Sequence, residues 1–532
     1  MSAGSLASGA PSVELAESRS DFTVWIIAFA VMLATFMEVL DTSIAAVSLP
    51  YIAGSLSATN DEATWVLTSY LVANAVVLPA SGWFSLRFGR KRFLIACIVI
   101  FTVSSFMCGA ATSLGVILIA RALQGAGGGA LQPMSQAILF ETFPPEKRGI
   151  ASAAFGLGVV VAPVLGPTLG GWITETYTWR WAFYINIPIG ILAVILISRF
   201  VEDPPYVRIA KPGRLDAIGL GLLAVWLGAL QIILDKGQED DWFGAIWIRY
   251  AAVILVISFA GFLIRELTHD KPLVDLRIFK NRNFAVGCLL IALFGVVIYG
   301  IVTILPLFFQ TLLGYTALAA GWAVSPRGMG AIVAMPIVGL LSEHVDNRWL
   351  IATGFLGVGA CTFWLGTVTL QIGEFSLFWA IILSGFFIGF VFVPLVTMAM
   401  GRLPNELLGN AAGLYNLLRN VGGSVGISIV NTLLVRRMQV HQSELAHSIA
   451  AGAPGVRERL QAIARALAIH SDPVTAAKRA TKIVELNLLQ QSQLWAYIDD
   501  FRYLALLCLA CIPIAFVLQR VRARPGVRIA AH

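Results

Sequence analysis

Five residues stand out because their charge is costly where they sit. Glu38, Asp41, Arg121, Arg327 and Arg419 each fall inside a long apolar run. A charge in mid-helix costs about 2.5–3.5 kcal/mol on membrane-insertion scales, so its retention calls for a reason. Glu38 and Asp41 lie three residues apart in FMEVLDTSIAAVSLP (36–50), which puts both on one helix face. A carboxyl group in an apolar cavity titrates nearer neutrality than one in water and can then load and release protons. Two on one face can share a proton. A carboxylate there also attracts a lipophilic cation, so proton and substrate compete for one place. The alternative is structural: either acid simply pairs with an Arg from another helix. Arg121, followed by Gln124, can bias a nearby carboxylate's proton affinity or merely stitch helices together. Arg327 and Arg419 read as cavity or inter-helix partners, and they also suit an anionic substrate. Gln124, Asn186, Gln310, Asn416 and Asn420 are neutral candidates, and Phe36, Trp65, Tyr70, Tyr299, Phe308 and Phe309 are aromatic candidates for a cavity wall or for packing.

The elements that position these residues are membrane helices. Of 532 residues, 58% are hydrophobic and 13% charged. A soluble domain carries roughly 25% charged residues, so this chain cannot cover a water-facing surface. Apolar stretches of about 20 residues recur, the length that crosses a bilayer as a helix. The pattern predicts an all-α polytopic membrane protein with about 14 spans: 22–48, 63–83, 91–111, 114–138, 149–173, 181–200, 215–235, 247–266, 284–308, 318–341, 349–370, 376–400, 410–435 and 498–520. An even count places both termini on one side. Gaps on that side hold Arg87, Arg90, Lys91, Arg92, Lys147, Arg148, Arg199, Arg208, Lys211, Arg214, Arg265, Lys271, Arg277, Lys280 and Arg282, and the tail adds four more Arg. Short gaps opposite offer only Arg180, Lys236 and Arg249, so both termini are expected in the cytoplasm. Residues 1–21 read as a disordered tail, and 521–532 as a basic one. The first apolar run is too long for a cleavable leader. Residues 436–497 are polar and carry helical periodicity in VRERLQAIARALAIH and after Asp472–Pro473, which predicts a small helical projection on the outer side.

Several stretches together resemble the fourteen-span drug:proton antiporters of the major facilitator superfamily. LDTSIAAVSLP (40–50) resembles their first-helix motif, and GWFSLRFGRKR (82–92) the loop motif between spans two and three. RALQGAGGGA (121–130) resembles the fourth-span Arg motif, GPTLGG (166–171) the fifth-span antiporter motif, WRWAFYINIPIG (179–190) the entry to the sixth span, and GLYNLLRNVGGSVG (413–426) the thirteenth. The same stretches resemble the EmrB-type inner-membrane pumps of tripartite efflux systems. The resemblance implies the major facilitator fold: six-helix bundles at 22–200 and 284–520, joined by two additional helices within 201–283. It also implies a proton-coupled antiporter of the bacterial inner membrane that exports hydrophobic or amphipathic compounds, partnered by a periplasmic membrane-fusion adaptor and an outer-membrane channel. By the same resemblance Asp41 ranks first as proton carrier, then Glu38, with Arg121 as modulator. Gln124, Phe36, Tyr299, Gln310, Arg327, Asn416 and Arg419 are expected at the substrate cavity.

Gating rests on two further patterns. Gly82, Arg87, Gly89 and Arg90 belong to the loop motif, but Leu86 stands where the family usually has Asp, so the latch must be weaker or made differently. A second copy, GLLSEHVDNRW (339–349), keeps an acid, Glu343, which supports two related halves. In the fifth span Gly158, Ala162, Gly166 and Gly170 recur every four residues, with Pro163 and Pro167 interleaved and Gly171 following. Small residues admit a close neighbour and proline lets the helix bend, as a seal between rocking halves would need.

Other classes find little support. No GxxxxGK[ST] loop points to ATP, the histidines form no ligand cluster, the cysteines lie in apolar spans, and the basic residues do not gather into a nucleic-acid face. No enzyme signature or cofactor site is expected. The main alternative within transport is export of one metabolite, such as a siderophore, fatty acid or other organic anion.

Overall fold

The computed structural model describes residues 21–519 except 145–146, 205–206, 208–215, 270–271, 371–373, 402, 451–453 and 470–471. The tail before Asp21, the basic tail and the loop cations Arg208, Lys211, Arg214 and Lys271 lie outside the described residues. Those described fold into helices alone: α1 (Asp21–Ser55), α2 (Asn60–Phe88), α3 (Arg90–Ala110), α4 (Leu114–Gly128), α5 (Leu131–Thr142), α6 (Arg148–Thr176), α7 (Trp181–Tyr184), α8 (Asn186–Phe200), α9 (Ala217–Lys236), α10 (Ile246–Thr268), α11 (Arg282–Thr311), α12 (Ala317–Val324), α13 (Pro326–His344), α14 (Asn347–Leu365), α15 (Glu374–Met400), α16 (Asn405–Ala450), α17 (Pro454–Leu467) and α18 (Pro473–Ala515), with two short 3₁₀ turns. Below, the near face is the one on which α1 begins, and the far face is the opposite one.

Among the described residues, thirteen helical spans are long and apolar enough to cross a bilayer. Three of these are broken in the middle. α4 gives way to α5 at the Gly-rich GAGGGA, α7 to α8 at Ile185, and α12 to α13 at Ser325, where Pro326 occupies the first turn of the new helix. The expected fourteenth span is the C-terminal part of α18. It packs on α14 and α16 and buries Phe501, Leu504, Ala505, Cys508 and Cys511, but Asp499, Asp500 and Arg502 at its start keep it out of the apolar set.

Helices α1–α8 are called the first half below and α11–α18 the second. Within the first, α1 lies on α6, and α2 and α3 lie on α4; within the second, α13 and α14 lie on α15, and α11 on α16. Across the divide α6 meets α12, α13 and α15, while α2 and α5 meet α16. α9 and α10 form an extra pair, clipped at the near face by Arg265 Nε to Asp216 Oδ2 at 2.9 Å. α9 also ties to both halves. Asp235 accepts from Thr68 of α2 at 2.6 Å and from Gln231 at 3.0 Å, and Gln231 accepts from Ser424 of α16 at 2.9 Å.

The small-residue stripe of α6 faces α1, inside its own half. A Cβ on Gly166 would strike Ser43, one on Gly170 would sit 3.2 Å from Ile44 Cα, and Ser43 Oγ donates to the Pro163 carbonyl at 3.1 Å. A different face of α6 meets the second half, through Val164 against Gly328, Thr168 against Gly321, and Gly171, whose built Cβ lies 3.7 Å from Leu318. Ala162 is buried, and α6 remains one helix through Pro163 and Pro167. A Gly166→Val substitution is expected to overpack the α1–α6 contact by roughly 1–3 kcal/mol, seen as a lowered melting temperature in detergent.

The far-side segment is longer and more continuous than periodicity suggests. α16 runs unbroken for 46 residues, since no Gly or Pro interrupts its polar extension, and α18 runs for 43. α17 packs along α18, whose start is fixed by Asp472, its carboxylate accepting from the Thr475 N–H at 2.9 Å.

Candidate functional site

The two acids of α1 enter different surroundings. Asp41, 1% exposed, accepts from Arg121 Nη1 at 2.6 Å, Gln124 Nε2 at 2.9 Å and Asn186 Nδ2 at 2.7 Å. Arg121 is fixed in turn by the Val66 carbonyl at 3.0 Å, by Gln124 Oε1 at 2.8 Å and by the Tyr70 ring 4.3 Å below its guanidinium carbon. α1, α2, α4 and α8 therefore close a paired ionic cluster inside the first half. Gln124, expected at the substrate cavity, belongs to this cluster because its amide bridges both charges.

Glu38 has no such cation against it. Its three hydrogen-bond donors are neutral: Tyr70 Oη at 3.2 Å, Asn74 Nδ2 at 3.0 Å and the Gln132 amide. The glycine run makes this possible. A Cβ on Gly128 would lie 2.7 Å from Tyr70 Oη and 3.3 Å from Glu38 Cγ, and the helix break that follows starts α5 with Gln132 aimed inward. The oxygen of the same Gln132 amide accepts from Arg419 Nη2 of α16. Four residues on, Gln136 Oε1 accepts from Asn416 Nδ2 at 2.7 Å, and Arg419 Nη2 also reaches Asn420 Oδ1 at 3.3 Å. A polar chain thus runs from Glu38 across the divide to Arg419, in an otherwise apolar core. Several buried atoms along it make no hydrogen bond: Arg419 Nε and Nη1, Asn416 Oδ1, Gln136 Nε2 and Tyr415 Oη. Gln132, Gln136 and Asn74 were missed from the sequence, although LQPMSQ sets two amides one turn apart in an apolar span.

Other expected cavity residues scatter. Gln310 is exposed at the far end of α11 and bonds its own helix, Nε2 to the Pro306 carbonyl at 3.3 Å. Arg327 is 1% exposed, lies within the second half against Gly385 of α15, and none of its side-chain nitrogens makes a hydrogen bond. Tyr299 lays its ring on Gly423 of α16, and Phe36 is half-buried beside α6.

The near face carries the closure between halves. A Cβ on Gly82 would sit 3.1 Å from the Asn410 nitrogen, and one on Gly149 2.6 Å from the Gly339 carbonyl. Arg148 Nη1 donates to the Gly401 carbonyl at 3.0 Å and Nη2 to Asn405 Oδ1 at 3.4 Å, while Ser152 meets Thr397 at 2.9 Å. The end of the loop motif is tied to its own half. Arg90 pairs with Glu141, Gly89 takes φ +87° against Asp203, and the Lys91 N–H donates to Asp203 at 2.8 Å. Leu86 lines a cavity of about 150 Å³ with Arg90, Asp275 and Glu406. Arg87 and Glu343 are exposed. With Leu86 unable to accept a hydrogen bond, cross-half links at this face come from Arg148 and from Ser152 to Thr397. Arg148→Ala is expected to raise maleimide labelling of a cysteine introduced at Thr397 severalfold, in a background cleared of the six buried native cysteines; unchanged labelling would count against this link.

Comparisons place this geometry among known proteins. The chain is 39% identical over 426 residues to the multidrug export protein EmrB of Escherichia coli (strain K12), an alignment covering 80% of this chain and 83% of that one. It is 38% identical over 417 residues to the fatty acid resistance protein FarB of Neisseria gonorrhoeae, covering 78% and 82%. The solved proton:xylose symporter XylE superposes with a TM-score of 0.58 at 14% identity, covering 93% of this chain and 97% of that one, a likeness of fold. The model of the Major Facilitator Superfamily matches residues 31–427, and the chain belongs to that superfamily as a multi-pass membrane transporter.

Proposed function

We propose that this protein is a proton-coupled antiporter that exports hydrophobic or amphipathic compounds, with Glu38 as its proton carrier. One observation carries the reading: a buried carboxylate with only neutral donors stands at the divide and is wired through one amide to a cation on the other half. A proton arriving on Glu38 removes the charge that holds the Gln132 amide. Gln132 then loses its grip on Arg419, and the halves gain freedom to part. Substrate leaving and proton entering become alternatives at one place, which is what exchange requires. Asp41, paired with Arg121, keeps the first half rigid around it.

The charge pattern supports both termini in the cytoplasm of a bacterial cell with the membrane crossed many times. The far-side projection then faces the periplasm, where a membrane-fusion adaptor would lead on to an outer-membrane channel; the name of the EmrB relative supports an efflux role. A second reading, export of fatty acids or other organic anions, is favoured by the unmatched nitrogens of Arg419 and by the FarB relative. The energy comes from an ion gradient: a charge crossing 100 mV yields about 2.3 kcal/mol, and a pH difference adds to it. The test is efflux of a lipophilic cationic dye from loaded proteoliposomes. Efflux should appear with an inward proton gradient and collapse with an uncoupler. Efflux that ignores the gradient would overturn the proposal.

A further inference from the structure

The Gln132 side chain behaves like a ligand built into the protein. Its amide nitrogen donates to a carboxylate, Glu38, and its amide oxygen accepts from a guanidinium, Arg419, on the opposite half. Glu38 and Gln132 belong to the first half and Arg419 to the second, so parting the halves leaves Arg419 with the 3.3 Å contact to Asn420 Oδ1 as its remaining acceptor. Two of its nitrogens already lack one, in a residue 3% exposed. A buried donor left unmatched is unfavourable, and a guanidinium presents an edge that takes a carboxylate with two parallel bonds. Around it Asn416 Oδ1, Gln136 Nε2 and Tyr415 Oη are also buried and unmatched, so the neighbourhood has capacity for further polar groups. On the other side of the amide, the groups facing Glu38 are Tyr70, Asn74 and Gln132, with the Asp41–Arg121 pair beyond Tyr70.

We propose that the headgroup taken by this site is zwitterionic: an ammonium on Glu38 and, a short carbon link away, a carboxylate on Arg419, bonded to the Nη2 that Gln132 gives up and to one of the unmatched nitrogens, Nε or Nη1, that flank it. Resting on the exporter reading, this names its substrate class. A lone anion on Arg419 sits beside the charge of Glu38, and a lone cation on Glu38 leaves Arg419 unmatched. A headgroup bearing both replaces the two bonds of the Gln132 amide, each with one charged partner, by ion pairs in which both partners are charged. Its ammonium still competes with the proton for Glu38, so exchange is preserved. The apolar remainder of such a molecule lies among the core side chains that surround the chain of amides.

Three probes with one tail test the idea: 2-aminododecanoate, dodecanoate and dodecylamine, titrated against the full-length protein in lipid nanodiscs. The zwitterion should bind at least about tenfold more tightly than either partner, since one charge-assisted pair is worth that much or more. Arg419→Gln should bring it down to the level of dodecylamine, and Glu38→Gln to the level of dodecanoate. Equal binding of the zwitterion and either single-charge probe to the unmodified protein overturns the inference, and this needs no variant to fold. So does a ranking that survives both substitutions. The dye-efflux assay separates the two readings. Proton-driven efflux with a flat ranking keeps the pump and rejects the zwitterion site; the expected ranking without proton-driven efflux keeps the site and rejects the pump.

Discussion

Glu38→Gln is expected to reduce dye efflux driven by a proton gradient to the level of protein-free vesicles, while substrate-for-substrate exchange across the same membrane continues. Exchange needs the halves to move but no proton to be carried, so the pair of assays separates coupling from folding. The substitution is mild on packing. Tyr70 and Asn74 both donate to the Oε1 atom of Glu38, which a Gln side chain retains, and only the oxygen facing Gln132 changes. If both activities fell together with the melting temperature, Glu38 would be a structural acid. If gradient-driven efflux persisted, another group would carry the proton.

Asp41→Ala should act differently, through stability. It strands Arg121, 0% exposed, without its anion and frees the Gln124 and Asn186 amides that converge on the same carboxylate. Breaking one side of a buried ion pair costs roughly 3–5 kcal/mol, because the remaining charge has no water to return to. The expected result is a protein recovered in low yield with a clearly lowered melting temperature. Asp41→Asn together with Arg121→Gln removes both charges and should recover much of the loss, since a neutral pair leaves nothing stranded. Asp41→Asn alone with unchanged melting but absent coupling would move the proton carrier from Glu38 to Asp41.

The proposed order, Glu38 before Asp41, differs from the one that the resemblance implies, and the reason for proposing it is geometric. Spacing put Glu38 and Asp41 on one helix face, which is where both are. It did not say that one turn of α1 separates two neighbourhoods, with α4 and α8 around Asp41 and α2, α5 and α16 around Glu38. Arg121 and Gln124 could be read as polar residues needing partners, but which acid they meet is fixed by helix packing that no single sequence pattern encodes. The glycine stripe of α6 shows the same limit. Its period announced a close approach, and nothing in the period distinguished α1 from the opposite half. Gln310 shows another: an amide inside an apolar run near a helix end needs only its own Pro306 carbonyl and the exposed rim. The membrane helices themselves were legible because burial in lipid demands long apolar runs regardless of partner. The α18 span was the exception in strength, since one of its opening acids, Asp499, is answered by residues distant in sequence, Arg437 at 2.6 Å and His441 at 2.9 Å, while Asp500 beside it is buried with both oxygens unmatched.

Those two contacts brace α16 against α18 where both emerge from the core, and neither helix is interrupted there. From Pro473 to Asp499 the free length of α18 is about 39 Å at 1.5 Å per residue. A stiff rod of that length is a lever arm: each 10° of tilt in the second half sweeps its tip through about 7 Å by the same helical rise. In the exchange proposed above, a partner gripping the tip would feel every stroke, much as a hand on an oar feels the blade.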